Sequence, residues 1–304
     1  MGGASKERIL KRSIMYVLIS GALAISGCAQ GGDASGATAT QGTQAAPTDV
    51  HEKDDSMTAL KPPSPDSVLY FVYQRDGDGA HSFQVEGGDV VSYWFGYPFE
   101  LDGEQYFTGF TARSAGTEGP LADSTTMEPG HVAIGQVTLV NTERSGQPGW
   151  SQIATDGFVG EFGHLDQPEM IDESRRAKSE ALTDGRLLLG VPTRLFSDGV
   201  ATPSYAMFVF DRKGQPQAPF RMWTYAGTIA AGSDNSAACE DGVLTCAVST
   251  GELSFEQAAA GALPSIRVAL TGAEVSGPGQ TRALGLDDAL IFDFDANTGR
   301  YQAR

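Results

Sequence analysis

The sequence predicts a mainly β protein, an antiparallel β-sandwich or barrel with one amphipathic helix near residues 167–183. Two observations favour the β class: β-rich runs repeatedly flank Gly/Asp turns, and one such run alternates aromatic with other residues. A single segment with helical spacing supplies the helix. The hairpins are unequally separated, which argues against a fixed-period repeat, although an irregular propeller stays an alternative.

The N-terminus has the three blocks of a secretory signal. Four basic residues lie within positions 6–12, residues 14–25 form an apolar run, and Ile25-Ser26-Gly27-Cys28 follows. This last block resembles the lipobox of bacterial lipoproteins. The resemblance implies cleavage before Cys28, a diacylglycerol on its sulfur and acylation of the new amino group. Because Ala29 is not Asp, it also implies the outer rather than the inner membrane.

The chain is therefore expected to have a signal peptide at 1–27, a disordered tether at 28–66 and a β-rich globular domain at 67–304. The tether is rich in Gly, Ala, Thr, Ser, Gln and Pro, too polar to form a core. As a flexible coil it would reach roughly 35 Å. The acyl chains are expected to make the membrane contact, since two or three of them anchor a protein persistently.

The chain is acidic, with 21 Lys and Arg against 38 Asp and Glu and a formal net charge of −17. Nucleic acid is not an expected partner, because phosphate binding needs clustered cations. The one tight basic group, Arg175-Arg176-Lys178, lies among acidic residues and is interpreted as a solvated helix face. No cofactor is expected, since the sequence has no P-loop, dinucleotide fingerprint or zinc-protease motif.

Three β-rich pairs flank turn residues and predict hairpins. The first joins residues 68–73 and 81–85, the second 205–210 and 220–225, and the third 289–294 and Tyr301. The turns between them are Arg75–Gly79, Asp211–Gly214 and Asp295–Gly299.

A fourth hairpin is predicted where eight of the 27 aromatic residues lie close together, between Tyr93 and Phe110. Alternation places four rings of its first strand on one face. Large rings dominate β cores, so this is interpreted as a core hairpin. Alternatively, Trp94 on the other face forms a platform for a sugar or a partner's side chain, with Tyr97 as a second candidate ring. The four alternating rings are Tyr93, Phe95, Tyr97 and Phe99.

The predicted helix rests on a capping pattern and an apolar stripe. Asp166 followed three residues later by Glu169 has the spelling of a capping box. Asp184-Gly185 would end the helix, and Asp172 with Arg176 forms a pair at spacing four on its solvent side. The stripe consists of Met170, Ile171, Ala177 and Ala181.

Cys239 and Cys246 remain after lipidation of Cys28. Asp241-Gly242 lies between them and allows the chain to turn back. An oxidising envelope makes a disulfide the expected state, with a stabilisation of roughly 2.5 kcal/mol for a loop of this length. A metal site is not expected here, because the pair has no further Cys or His ligands nearby.

A catalytic candidate precedes the predicted helix. Glu161, His164 and Asp166 place a histidine that titrates near neutrality beside two carboxylates, which can perform general acid–base chemistry. Asp166 is already interpreted as a helix cap, and the other two are equally consistent with solvated loop residues.

A metal candidate lies near the C-terminal end of the chain. Asp293, Asp295 and Asn297 supply oxygens at positions one, three and five of a calcium loop. The loop then departs from the pattern, with Thr298 where Gly is needed and Arg304 where a bidentate Glu is needed. The same residues are typical of an ordinary hairpin turn.

Two functions of different classes are consistent with these observations. The first is an envelope lipoprotein whose β-rich domain binds a protein, a glycan or a small ligand without catalysis, an inhibitor or immunity protein being one example. The alternative is an envelope polysaccharide or peptidoglycan hydrolase that uses Glu161 and His164. The absence of catalytic motifs favours the first.

Overall fold

The computed structural model describes a mainly β domain from Leu60 onward. The described residues are 60–115, 132–144, 147–162, 168–215, 218, 220–239, 244–259 and 261–304. Among them are sixteen β-strands, one α-helix and two short 3₁₀ helices. The predicted signal peptide, Cys28 and the tether up to residue 59 lie outside the described residues.

The strands form two antiparallel sheets, each curled into a half-barrel, which confirms the predicted fold class. The first sheet contains β1 (Ser82–Gln84), β2 (Val90–Leu101), β3 (Glu104–Ser114), β4 (Val132–Arg144) and β5 (Gln147–Phe162). The second contains β6 (Met170–Ile171), β7 (Lys178–Ala181), β8 (Arg186–Ser197), β9 (Val200–Asp211), β10 (Trp223–Ala230), β11 (Gly232–Asp234), β12 (Val248–Phe255), β13 (Ile266–Gly277), β14 (Gln280–Ala283), β15 (Leu290–Asp295) and β16 (Arg300–Ala303). The helix is α1 (Pro65–Tyr73), and the 3₁₀ helices are Ser236–Ala238 and Leu286–Asp288.

The first sheet is a meander in which each strand pairs with the next. Strands β2 and β3 form the predicted aromatic hairpin, with Leu101 opposite Glu104. Asp102 and Gly103 between them have φ angles of 52° and 77°. Positive φ at both positions is the requirement of a type I′ two-residue turn, which follows the strand twist, so the turn residues explain the register.

The second sheet has the order β16-β15-β13-β12-β11-β9-β8-β6, with β10 beside β9, β14 beside β13 and β7 beside β8. Two predicted hairpins are confirmed in it. Phe210 of β9 is opposite Trp223 of β10, and Phe294 of β15 is opposite Tyr301 of β16.

An aromatic core joins the two sheets face to face. Phe110 of β3 and Phe208 of β9 have ring centroids 4.6 Å apart. Trp94 of β2 packs against Phe208 as well, at 5.9 Å, and Phe162 of β5 lies 5.6 Å from Tyr225 of β10. Burial of such large rings supplies much of the apolar area that stabilises the pairing of the sheets.

Strands β8 and β9 are buried on both faces. Leu187 and Leu189 of β8 point into the core between the sheets, whereas Leu188 belongs to a second core with Ile266 and Phe292. This second core lies inside the second sheet, where β12, β13, β15 and β16 curl over β8 and β9. Strands covered on both faces read as continuous apolar runs, and this accounts for the unbroken Leu187–Val191 segment.

The helix α1 lies where the sequence predicted a strand at 68–73, so that prediction is wrong. Pro65 begins the helix and Gln74 ends it in the left-handed conformation, with φ of 53°. Val68 packs over Gly109, where a Cβ would overlap its methyl groups. The space that Gly109 leaves on the first sheet thus accommodates a helix, and this packing overrides the β propensity of residues 68–73. Within the described residues, no helix is long and apolar enough to cross a bilayer.

The helix predicted near 167–183 is wrong. From residue 168 the segment contains β6, a turn and β7, and Asp184-Gly185 forms the β7–β8 hairpin turn instead of a helix end. The physical reason lies at Asp172, whose carboxylate accepts the backbone N–H of Ser174 at 3.1 Å. Such local side-chain bonds favour turns over helix, and β8 supplies the remaining backbone partners.

Candidate functional site

The structure leaves the catalytic candidate incomplete. Glu161 lies on β5, opposite Ala133 of β4, and is half-buried. His164 and Asp166 lie outside the described residues. The acid–base constellation therefore stays a prediction.

The aromatic platform predicted at Trp94 is wrong. A register shift between Tyr93 and Phe95 leaves Trp94 unpaired and reverses the facing of the strand at that point. Trp94 is only 8% exposed and donates its indole N–H to the carbonyl of Glu169 at 2.7 Å. The ring is thus part of the core and does not present a face to a ligand.

Tyr97 is partly buried beside that core. Its ring is stacked near Phe95 and Phe99, with centroids 6.3 Å and 6.1 Å away. Its hydroxyl donates a 2.8 Å hydrogen bond to Ser179 of β7. These contacts give Tyr97 a role in holding the two sheets together.

The carboxylates of the calcium candidate accept hydrogen bonds from protein groups around them. Asp293 accepts two 2.8 Å hydrogen bonds from Arg304 and one of 2.6 Å from Ser265, and these bonds lower its pKa to about 2. Asp295 accepts bonds from Asn297 and Thr298 of its own turn. The structure favours the hairpin-turn interpretation. In the ranges described above, no group of three His, Cys, Asp or Glu side chains is close enough to hold a metal ion.

Cys239 and Cys246 lie where the sequence predicted a bond between them. Their Cα atoms are 5.4 Å apart and their sulfur atoms are at disulfide distance. Cys239 follows the 3₁₀ helix Ser236–Ala238, in the connection between β11 and β12. The pair therefore closes a short loop between β11 and β12.

A cavity of about 290 Å³ lies where the β6–β7 turn meets β8, β9, β11 and β12. Its lining has an unusual density of opposite charges. The charged side chains are Asp172 and Arg175 of the turn, Arg194 of β8, Asp234 of β11 and Glu252 of β12. We call this the Arg175 cavity.

Arg175 is a built-in cation in the wall of the Arg175 cavity. Its side chain is 8% exposed, and Nε donates to Asp172 at 2.8 Å. Nη2 donates to the carbonyls of Thr193 and Ser204, each at 2.8 Å, and the guanidinium lies 4.6 Å from the ring centroid of Tyr205. Nη1 is buried and has no hydrogen-bond partner within the described residues. A buried donor without a partner costs folding free energy, so this atom is a candidate contact for a ligand.

The other charged residues of the Arg175 cavity are more accessible. Arg194 is 45% exposed and lies 3.9 Å from Asp172, beyond hydrogen-bonding distance. Glu252 lies 3.3 Å from Lys178 Nζ across the rim. Asp234 accepts two bonds from Ser236, at 3.0 Å and 2.6 Å.

The charges of the Arg175 cavity are fixed at neutral pH. Hydrogen bonds from Ser236 lower the pKa of Asp234. Burial raises the pKa of Asp172, but hydrogen bonds from Ser174 and Arg175 outweigh it and the net shift is downward. Arginine stays protonated throughout the physiological range. Within the part of the chain that the structure describes, no histidine, cysteine or lysine lines the cavity. Such a set of groups suits binding better than proton transfer.

A buried carboxylate lies behind the Arg175 cavity. Glu169 is 5% exposed and accepts hydrogen bonds from Thr193 at 2.8 Å and Thr228 at 2.7 Å. Burial raises its pKa. The sequence interpretation of Glu169 as a helix cap is therefore wrong. Thr193 links the two charged groups, because its hydroxyl contacts Glu169 and its carbonyl contacts Arg175.

The sequence pattern predicted that Arg175 is exposed to solvent on a helix face, whereas its side chain is buried in the wall of the cavity. The pair at spacing four, Asp172 with Arg176, is in fact Asp172 with Arg175. Asp172 followed two residues later by Ser174 is a local signal for a side-chain-stabilised turn, and it indicates that the helix breaks here.

No protein-family model, curated protein or solved structure matches the chain.

Proposed function

We propose that this chain is a lipid-anchored envelope protein whose β-rich domain binds a small polar ligand in the Arg175 cavity without catalysing a reaction. The observation that carries the proposal is the buried Nη1 of Arg175, which has no partner among the described residues although the rest of the guanidinium is fully engaged. Nη1 is shielded from solvent by the cavity wall, so an oxygen acceptor on a ligand would satisfy it after a small shift of that wall exposes the atom.

The fixed charges support binding over catalysis. Asp172 and Asp234 have lowered pKa values, so neither holds a proton to donate at neutral pH. A general base is most effective when its pKa lies near the working pH, which neither residue meets. A protein partner, such as a hydrolase that the lipoprotein inhibits, fits this proposal where one of its side chains or its chain terminus enters the cavity.

Native mass spectrometry of the full chain, incubated with the small-molecule fraction of an envelope extract, tests ligand binding. The wild-type chain should retain a ligand, and Arg194→Gln should lose it. Arg212→Gln is the matched control, because Arg212 is 49% exposed, forms one ion pair with Glu104 and lies away from the cavity lining. Retention of the ligand by none of the three chains, or by all three equally, would contradict binding in this cavity.

Replacement of the lipobox cysteine tests the membrane anchor. Cys28→Ser removes the acceptor sulfur, so lipid-dependent processing should stop and the precursor should keep its apolar segment and run larger. Mass spectrometry of the wild-type chain should find Cys28 modified. An unmodified Cys28, or a mature chain that starts elsewhere, would remove the anchor from the proposal.

A further inference from the structure

We infer that the ligand of the Arg175 cavity is a small zwitterion, a free amino acid or short peptide that presents both a carboxylate and an ammonium group. The inference rests on the proposed binding function and names its ligand class. It depends on which charges line the cavity, how far each is already neutralised and how much room they leave.

The arginines provide the site for a carboxylate. Arg175 brings one buried N–H without a partner in the described structure. Arg194 lies on the neighbouring β8, and its 3.9 Å separation from Asp172 leaves its planar fork of donors accessible. Guanidinium groups match the two oxygens of a carboxylate better than ammonium groups do. A carboxylate held by Arg194 would lie beside Arg175 and would complete its hydrogen bonding once a small shift of the cavity wall exposes Nη1.

The acidic residues provide the site for a cation. Asp234 on β11 and Glu252 on β12 approach the cavity from strands other than those that carry the arginines. Asp234 is ionised at neutral pH because its pKa is lowered by Ser236. Glu252 is 68% exposed and only loosely paired with Lys178. A ligand ammonium group can therefore contact carboxylates without displacing a buried ion pair.

The balance of charge disfavours the simpler ligands. Asp172 and Arg175 neutralise each other at 2.8 Å, which leaves Arg194 and Asp234 as charges of opposite sign, with Glu252 shared between the cavity and Lys178 at the rim. A simple anion would bring further negative charge toward those two carboxylates, in a chain whose net charge is already −17. A simple cation would leave Arg175 Nη1 without an acceptor. A ligand that carries both charges satisfies both sides of the cavity.

Size and lining exclude other common ligands. About 290 Å³ is at the lower end of the roughly 300–1,000 Å³ typical of small-molecule sites, which suits an amino acid or dipeptide. Among the described residues no aromatic side chain lines the cavity, so they do not supply the stacking that sugar sites use. Ser249 and Thr250 also line the cavity, and of these two the Ser249 hydroxyl is already bonded to the backbone of Ser233.

The test uses the full chain in detergent, with the common free L-amino acids and their dipeptides as probes. A thermal-shift screen at millimolar concentration selects the strongest binder, and calorimetry then compares it with its N-acetyl and C-terminal amide derivatives. The first derivative lacks the ammonium group and the second lacks the carboxylate. Each should bind at least tenfold more weakly than the free amino acid.

Variants then assign each charge to its partner. Arg194→Gln should weaken the free amino acid at least tenfold and change binding of the amide little, because the amide offers no carboxylate. Asp234→Asn should weaken the free amino acid and change binding of the N-acetyl derivative little. Arg212→Gln should bind like the wild type. Far-UV circular dichroism checks each fold, and the derivative series on the wild-type chain decides alone if a variant unfolds.

The outcomes separate this inference from the proposed function. If a derivative binds as well as the free amino acid, the zwitterion is wrong while Arg194-dependent binding stands. If no amino acid or dipeptide binds but the wild-type chain retains an Arg194-dependent ligand from envelope extract, the ligand class is wrong and the binding function stands. If neither experiment finds an Arg194-dependent ligand, both are wrong.

Discussion

The indole N–H of Trp223 lies 3.0 Å from the hydroxyl oxygen of Thr108, and both residues are fully buried. Trp223 belongs to β10 of the second sheet and Thr108 to β3 of the first. The bond therefore crosses the core and fixes how the two sheets face each other. Thr138 of β4 lies 3.1 Å from the same N–H and 3.0 Å from Thr108, so the donor is shared within a small polar cluster.

Trp223→Phe should destabilise the domain by about 1–3 kcal/mol. The change removes the donor that crosses the core and leaves a cavity where the indole was, although Thr108 and Thr138 can still bond to each other. Urea unfolding measures the loss. Trp150→Phe is the control, because Trp150 is half-buried and donates to the Lys61 carbonyl near the start of the described residues. Equal losses in both variants would contradict a special role for the bond across the core.

Glu169→Gln should change how stability depends on pH. Burial raises the pKa of Glu169 in the folded state, so the folded state binds more protons than the unfolded state between the two pKa values. Stability of the wild type therefore falls as pH rises from the unfolded pKa through the folded one. Glutamine can keep the threonine contacts without a charge, so the advantage of the variant should grow with pH.

Urea unfolding of both chains between about pH 4 and pH 8 checks this sign. Glu180→Gln is the control, since Glu180 is exposed on β7. A wild-type stability that rises relative to Glu169→Gln with increasing pH would show that Glu169 is stabilised as the carboxylate, contrary to the burial argument.

The cysteine pair should stabilise the fold and have no redox function. Asp241 and the neighbouring Glu240 oppose thiolate formation. Cys239→Ala combined with Cys246→Ala should cost roughly 2–3 kcal/mol and lower the melting temperature by about 4–9 °C. Thiol labelling of the unfolded, unreduced chain should detect neither cysteine. Two reactive thiols would contradict the bond.

Local turn chemistry explains why much of the fold was predictable. Asp102-Gly103 and the turn Asp295–Gly299 specify hairpins from a few adjacent residues, and both hairpins are present. The aromatic face was only half predictable. A bulge at Trp94 reverses the alternation, and no adjacent residue announces it.

The errors arose where distant residues decide the structure. Residues 65–73 are helical because Val68 packs on Gly109, which lies 41 positions further along the sequence. The Arg175 cavity is equally non-local, since Arg175 donates to Ser204 and shares the lining with Glu252. A sequence pattern covers a few neighbouring positions, so it detected the charges but not their burial.

Gly109→Ala should displace α1 and destabilise the domain by about 1–3 kcal/mol. A Cβ at Gly109 would overlap the side chain of Val68, which is fully buried. Overpacking of a closed contact forces backbone shifts of this cost. Gly157→Ala is the matched control, because Gly157 is also on a strand of the first sheet and nothing lies within 4 Å of its added Cβ. The control should change stability by less than about 0.5 kcal/mol.

A double variant identifies the contact itself. Val68→Ala removes the two methyl groups that the new Cβ of Gly109→Ala would meet, so the pair should lose less stability than the sum of the single losses. Hydrogen exchange should show faster exchange of the α1 amides in Gly109→Ala and partial recovery in the double variant. Strictly additive losses would mean that Gly109 and Val68 do not share the contact, and that the helix is held over the first sheet by its other residues.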